Sequence, residues 1–198
     1  MKKLVYAIIG CLFVSAALAQ DLSKLRAFGG TGTRGAARVL YFDPERQAVA
    51  GAFSIDYGLP KWKPEYDNAA KFDELTKGKA WRFGEGLWTT LDTNIPLKLA
   101  GRAVAPGIYY LGLRRGTDDQ WLLEFYLPAK IHEKKLDAFA IAQTKSEFAV
   151  PLSFARTDKV TEALAINLDY PKDNPMKVTL RIRWGKFELT APVEPSLK

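Results

Sequence analysis

The stretch Val178-Thr-Leu-Arg-Ile-Arg-Trp184-Gly-Lys-Phe187-Glu-Leu-Thr-Ala-Pro-Val193 alternates apolar and polar residues more cleanly than the rest of the chain. Apolar side chains stand at positions 178, 180, 182 and 184, and again at 187, 189, 191 and 193. A period of two is typical of a strand with one buried and one wet face, whereas a helix repeats every 3.6 residues. The stretch therefore predicts antiparallel strands that are packed on one side.

The same alternation recurs along most of the chain. It is present in the segments 37–42, 49–57, 121–127, 148–154 and 164–170. Turn sequences separate these segments, and they are Asp43-Pro44, Pro106-Gly107, Gly116-Thr-Asp-Asp119 and Lys172-Asp-Asn-Pro175. Only residues 129–143 have apolar positions near helical spacing. The pattern predicts a mostly all-β fold, an antiparallel β-sandwich or jelly-roll-like barrel, with one short helix around 129–143.

The first twenty residues have the three parts of a secretory signal. Lys2 and Lys3 precede an apolar run, and Ala17-Leu-Ala19 provides a small-residue cleavage site. The run is too short to span a bilayer as a permanent anchor. We therefore expect cleavage after Ala19 and an exported protein without an integral membrane span. A second interpretation is a lipoprotein, because Ile8-Ile-Gly-Cys11 loosely resembles a lipobox with Cys11 as the lipid-bearing residue.

The expected organisation is a signal peptide over 1–19, a flexible lead over 20–36 and a single β-sandwich domain over 37–195. Cys11 is the only cysteine, so the exported chain would have no disulfide and no thiol nucleophile. The chain is 47% hydrophobic and 12% aromatic, as expected for a globular domain. Its net charge of +7 comes without a lysine- or arginine-rich block, so we predict no nucleic-acid partner. The sequence does not indicate an oligomeric state.

Residues that could carry chemistry are few. His132 is the only histidine, and the chain has no G-x-S-x-G motif that would support a serine hydrolase. The acids at 65, 67, 73 and 74 match no calcium-loop spacing. We therefore predict no metal, no cofactor and no catalytic residue. A pair of carboxylates for hydrolysis stays possible, because the fold sets their separation.

The best candidate site is Gly78-Lys-Ala-Trp81-Arg82-Phe-Gly-Glu85-Gly-Leu-Trp-Thr89-Thr90. Arg82 stands between two aromatic residues, where it could stack on a ring or hold a carboxylate or phosphate. The alternative is a structural clasp in which Arg82 pairs with Glu85 or another acid. The candidate site ends a long irregular segment, 59–86, and such segments on a rigid scaffold often carry function.

A second candidate surface is a basic stripe at 177–183. Lys177, Thr179, Arg181 and Arg183 share one face of a predicted strand. They could contact an anionic glycan or lipid headgroup, or they could be the wet face of an antiparallel sheet.

Several motifs together resemble the family called domain of unknown function 2911, which comprises exported bacterial proteins. In order they are Tyr57-x-x-Pro60, Trp81-Arg82-x-Gly84, Thr89-Thr-Leu91, Ala105-Pro-Gly-Ile-Tyr109, Trp121 and Arg183-Trp-Gly185. The resemblance extends over about Val39 to Val193 and implies a fold and a compartment. It implies no reaction, because the activity of the family is unknown. After Trp81-Arg82-x-Gly84 the family usually has Ala-Asn-Glu, whereas this chain has Glu85-Gly-Leu87, and Gly58-Leu59 replaces a usual Ser and Arg.

These observations predict a ligand-binding site formed by Tyr57, Trp81, Arg82, Glu85 and Thr89. The predicted partner is a glycan or another envelope component, bound without catalysis. The alternatives are a carboxylate-based hydrolase, which would use acids of segment 59–86 with Arg82 as an electrostatic stabiliser, and a structural or assembly partner.

Overall fold

A computed structural model describes Arg26 and residues 33–197. The predicted signal peptide, its cleavage site after Ala19, Cys11 and most of the predicted lead lie outside the described residues. No helix in the described part of the chain is long and apolar enough to cross a membrane.

The described chain is built mainly from ten antiparallel strands, which confirms the predicted all-β class. The strands are β1 (Arg34–Asp43), β2 (Ala48–Gly58), β3 (Lys79–Trp81), β4 (Thr89–Thr93), β5 (Leu97–Leu99), β6 (Arg102–Val104), β7 (Gly107–Arg115), β8 (Trp121–Tyr126), β9 (Phe148–Asp169) and β10 (Val178–Pro195). Two α-helices, α1 (Ala69–Thr76) and α2 (Pro128–Glu133), and two 3-10 helices, Pro64–Asp67 and Ala138–Gln143, lie between them.

The strands follow one continuous path, β1-β2-β4-β7-β8-β9-β10-β5-β6, with β3 paired to β7 beside it. Strand β9 changes partner along its length, because it pairs with β8 up to Leu152 and with β10 from Ser153 onward. This change divides the path into a first layer, β1 to the start of β9, and a second layer, the rest of β9 to β6. The inward side chains of both layers form one hydrophobic core, as expected of the predicted sandwich.

Strand β10 confirms the alternation on which the fold prediction rests. All eight of its predicted inward positions, 178, 180, 182, 184, 187, 189, 191 and 193, are buried, and so are Gly185 and Pro195. The period of two breaks at Gly185, where φ is +60° and the pairing register with β9 shifts. A Cβ atom at this position would lie 2.3 Å from the ring of Trp62, so the bulge needs both the conformation and the small size of glycine.

Three local predictions need adjustment. The helical stretch predicted over 129–143 divides into α2 and the 3-10 helix Ala138–Gln143. The reason is local. Lys135 has a φ of +53°, which is not a helical conformation, and Asp137 begins the 3-10 helix as its N-cap, because its side chain accepts hydrogen bonds from the amides of residues 139 and 140. The segment 59–86 is not wholly irregular, since it contains a 3-10 helix, α1 and β3. Strand β1 begins at Arg34 rather than at 37, and Arg34 forms an ion pair with Asp56 of β2.

The basic stripe lies on the wet face of β10, and acids neutralise part of it. Arg181 Nε lies 2.8 Å from a carboxylate oxygen of Asp169. Arg183 Nε lies 2.7 Å from Glu188, which also accepts from Arg181. This pairing favours the interpretation of an ordinary outer sheet face.

Candidate functional site

Two of the five predicted site residues, Tyr57 and Thr89, lie in the packing beneath the site. The Tyr57 hydroxyl accepts a hydrogen bond from Ile166 N at 3.0 Å and donates to Ile166 O at 3.3 Å, which joins the two layers. Thr89 is fully buried, and its hydroxyl donates to the carbonyl of Phe83. Both side chains therefore have structural partners within the chain.

Arg82 and Glu85 lie in the turn between β3 and β4, but they do not form an ion pair with each other. The Arg82 guanidinium carbon lies 3.8 Å from the ring centroid of Phe139, and Nη1 donates to the carbonyl of Gly86 at 3.4 Å. Glu85 is exposed, and its backbone packs closely on Gly58. A Cβ atom built on Gly58 would lie 2.0 Å from the carbonyl oxygen of Glu85. The structure thus replaces the predicted Arg82–Glu85 clasp with a contact between Arg82 and the 3-10 helix that carries Phe139.

Trp81, the last residue of β3, packs into an aromatic cluster. Its ring stacks on Trp184 of β10 with 4.9 Å between centroids and 15° between planes. Trp62 meets Trp184 edge-on at 5.1 Å, and Trp121 stacks on Phe187 at 5.8 Å. Four of the five tryptophans of the chain therefore converge on one region, although they are far apart in sequence.

The cluster lines an open cavity of about 230 Å³, which we call the aromatic groove. Its aromatic lining consists of Tyr66, Phe72, Trp81, Trp121, Trp184 and Phe187. Strands β3 and β10 provide one side, and α1 provides the other through Phe72 and Leu75. None of the residues of α1 is buried, so this wall is attached mainly through a few side chains.

Arg115, at the end of β7, joins α1 to the sheet beside the groove. Its Nη1 lies 2.6 Å from Asp73 Oδ1 and 3.0 Å from Thr76 Oγ1, both in α1. Its Nη2 lies 2.7 Å from Asp119 in the turn that follows β7. Its buried Nε has no hydrogen-bond partner among the described residues, and its guanidinium carbon lies 5.9 Å from the ring centroid of Phe72 and 5.8 Å from that of Trp121.

The charged groups around the groove compensate one another. The hydrogen bond from Lys77, with the nearby charge of Arg115, lowers the pKa of Asp119 below its ordinary value of 3.8. A hydrogen bond from Lys71 likewise lowers the pKa of Glu74. Lys79, which lines the groove, donates from Nζ to the carbonyl of Glu74 at 2.6 Å. Asp119 and Glu74 are therefore ionised at neutral pH, and Lys71, Lys77 and Lys79 already have hydrogen-bond partners.

A second polar cluster lies on the outer face of the first layer. The buried carboxylate of Glu124 accepts from Arg114 Nε and from the Tyr126 hydroxyl, each at 2.7 Å. Burial, and after it the hydrogen bond to Glu124, raises the pKa of Tyr126 far above its ordinary value, so the phenol stays protonated. His132 is exposed on α2, and its Nε2 lies 3.0 Å from the Tyr110 hydroxyl. No serine contact accompanies His132 among the described residues, so the geometry contains no catalytic triad there.

The sequence predicts Trp81 as a site residue but not the residues that surround it. Phe72, Trp62 and Tyr66 belong to the segment 59–86, whose aromatic content was a visible signal. Trp184 belongs to the Arg183-Trp-Gly185 motif of the resemblance. Arg115 gave no signal, because its role depends on α1, which the pattern did not predict.

The fold and the groove together define an all-β sandwich with a concave aromatic site. The model of the family described as protein of unknown function (DUF2911) matches residues 45–193. The chain therefore belongs to that family, which confirms the resemblance read from its motifs. Searches of curated proteins and of solved structures returned no match.

Proposed function

We propose that this chain is an exported, non-catalytic binding domain that holds an uncharged ring, such as a sugar unit of an envelope glycan, in the aromatic groove. The single observation that supports the binding role most directly is the convergence of Trp81, Trp121 and Trp184 on an open cavity. Export is supported by the signal-like start of the sequence.

The lining favours a ligand with an apolar face. Aromatic side chains bury large apolar areas at low conformational cost and stack on flat partners. The C–H face of a sugar ring can pack on such a surface while its hydroxyl groups stay at the wet rim. Trp81 is half-buried, so part of it stays available to a ligand while one face lies on Trp184.

The charges favour a neutral ligand. Arg115 is bonded to Asp73 and Asp119, and Lys79 is bonded to a backbone carbonyl. A charged ligand would have to compete with these partners, whereas a neutral ring would not. The same pairing supports a non-catalytic role, because carboxylates held in ion pairs are poorly suited to donate a proton.

The volume favours a single ring over an extended occupant. The cavity of about 230 Å³ lies just below the range of about 300–1,000 Å³ that is typical of sites for drug-sized ligands. We therefore expect the groove to hold one residue of a longer chain and to leave the neighbouring units in solvent.

The test is calorimetric titration of the purified protein with a panel of neutral oligosaccharides and envelope polymers. Replacing Trp81 with Leu should weaken the binding of any ligand that the panel identifies by about tenfold, because one stacking wall is lost. The matched control is Trp88→Leu, since Trp88 stacks on Tyr110 at 5.0 Å in the separate cluster of the outer face. Failure of the whole panel, or equal loss in the two variants, would contradict the proposal.

A further inference from the structure

We infer that the cavity between α2 and the segment 144–147 is a second binding site, which takes a phosphate-type oxyanion. The cavity has a volume of about 350 Å³ and lies on the outer side of the first layer, where Tyr126 forms part of its floor. Its polar lining consists of Lys130, Lys134, Thr144, Lys145, Ser146 and Glu147, and we call it the lysine cavity. It shares no lining residue with the aromatic groove, so the inference stands independently of the proposed function.

The lysine cavity carries positive charge that no carboxylate in the described part of the chain neutralises. Lys130 Nζ lies 2.7 Å from Glu147 Oε2, so these two charges cancel. Lys134 and Lys145 form no ion pair with any carboxylate among the described residues. The cavity therefore presents two unpaired ammonium groups, in contrast to the compensated charges of the aromatic groove.

The fold directs these side chains towards one space. Lys130 and Lys134 are four residues apart at α2, so they project from the same side of the helix. Lys134 Nζ reaches across to Thr144 Oγ1, at 3.5 Å, on the opposite wall. An anion in this space would contact the ammonium groups of Lys134 and Lys145, whose charges no carboxylate among the described residues offsets.

The donors fit a compact oxyanion better than a neutral ligand. An ammonium group is a point charge with three rotatable donors, and it is a common partner of phosphate. The hydroxyl groups of Thr144 and Ser146 add neutral donors at the same wall. The remaining volume accommodates the group to which the phosphate is attached, which could be a lipid headgroup or a soluble ester.

The test compares two double variants that remove the same charge. Lys134→Gln with Lys145→Gln removes the unpaired lysines of the cavity. Lys135→Gln with Lys172→Gln removes two exposed lysines that do not line it. All four positions are on the surface, and thermal unfolding should verify that both variants stay folded.

Two probes distinguish the source of the phosphate. The first is inorganic phosphate, followed by calorimetry, and the second is co-sedimentation with phosphatidylglycerol vesicles, with phosphatidylcholine vesicles as the neutral reference. The cavity variant should bind whichever probe the unmodified protein binds about tenfold more weakly than the unmodified protein does. The affinity of the control variant should stay within about twofold of that of the unmodified protein. Added salt should weaken the binding further.

Binding of inorganic phosphate with this dependence on the variants supports a site for soluble phosphate. The same dependence seen only with phosphatidylglycerol vesicles supports a lipid headgroup as the source. Absence of saturable binding to both probes, or an equal loss in the two double variants, would overturn the inference.

Discussion

Phe83 shows how single residues hold the turn next to the groove. It is fully buried and has a φ of +54°, a left-handed conformation that is costly for a bulky side chain. Such a conformation persists only when its surroundings enforce it. The Thr89 hydroxyl, which donates to the Phe83 carbonyl, is one of these restraints.

Replacing Thr89 with Val should lower the free energy of unfolding by about 1–3 kcal/mol, because the buried carbonyl of Phe83 would lose its partner. Urea unfolding followed by circular dichroism would measure the change. The control is Thr90→Val, since the neighbouring hydroxyl is half-buried and makes only a 3.5 Å contact with the Trp88 carbonyl. Equal stability of the two variants would show that the bond does not restrain the turn.

The sequence predicts Arg82 as a ligand contact, and its position in the structure allows a sharp test of that prediction. It stacks on Phe139 and is not part of the lining of the aromatic groove. We therefore expect Arg82→Ala to reduce ligand affinity by less than about threefold, well short of the loss from Trp81→Leu. If Arg82→Ala instead removes binding while Trp81→Leu preserves it, the ligand lies on the turn that carries Glu85, as the sequence motif suggested.

At the residue scale, the sequence located the neighbourhood of the candidate site but not its members. The spacing of Trp81 and Arg82 marked the region because both lie in one short stretch. The contacts of Trp81 with Trp184 and of Arg82 with Phe139 cross more than fifty residues of chain, and residue order alone does not show such contacts. For the same reason the sequence suggested Glu85 as a partner for Arg82, whereas the folded chain supplies Phe139.

Helix α1 is the element on which the shape of the groove depends most. It has only eight residues, a length at which an isolated helix is marginal in water. Asn68 caps it by accepting from Lys71 N, and Arg115 ties it to the sheet through Asp73 and Thr76. The sequence did not predict it, because so short a helix derives its stability from these tertiary contacts.

Replacing Asp73 with Asn should loosen α1 and weaken ligand binding, because Arg115 would lose a charged partner. Hydrogen exchange should become faster at the α1 amides, and ligand affinity should fall by about threefold. Glu74→Gln is the control, since it removes one charge from the same helix but affects only the bridge to Lys71. A similar effect of both substitutions would indicate that helix charge, and not the Arg115 contact, maintains the groove.

The turn at Asp119 should make the groove sensitive to acid. The folded-state pKa of this carboxyl lies below 3.8, so its contribution to stability is present above that value and is lost as the pH falls through the folded-state pKa. Asp119→Asn should therefore flatten the dependence of stability on pH below 3.8. Denaturant unfolding across that range, at low salt to limit screening, measures it. If stability depends on pH as steeply in the variant as in the unmodified protein, the acid response belongs to other carboxyl groups.

At the scale of the whole molecule, the alternation of apolar residues predicted the strands but not their order. It identified the inward positions of β10 correctly, since burial of a strand face follows directly from side-chain direction. It did not indicate that β9 leaves β8 at Leu152 and joins β10 at Ser153. Pairing partners depend on long-range packing, so a period of two is equally compatible with many strand orders.

Because β9 belongs to both layers and the core between them is continuous, we expect the sandwich to unfold in one cooperative transition.

Leu180 is fully buried in the second layer, at a point where both layers contribute to the lining of one small internal space. Leu180→Ala should therefore lower the free energy of unfolding by about 2–5 kcal/mol and shift the whole transition, with fluorescence and circular dichroism still coinciding. Leu40→Ala is the matched control, because Leu40 is 60% exposed on β1 and its loss should change stability by less than about 1 kcal/mol. Separation of the two signals into distinct transitions would show instead that the layers are independent folding units, and the prediction of a single domain would then fail.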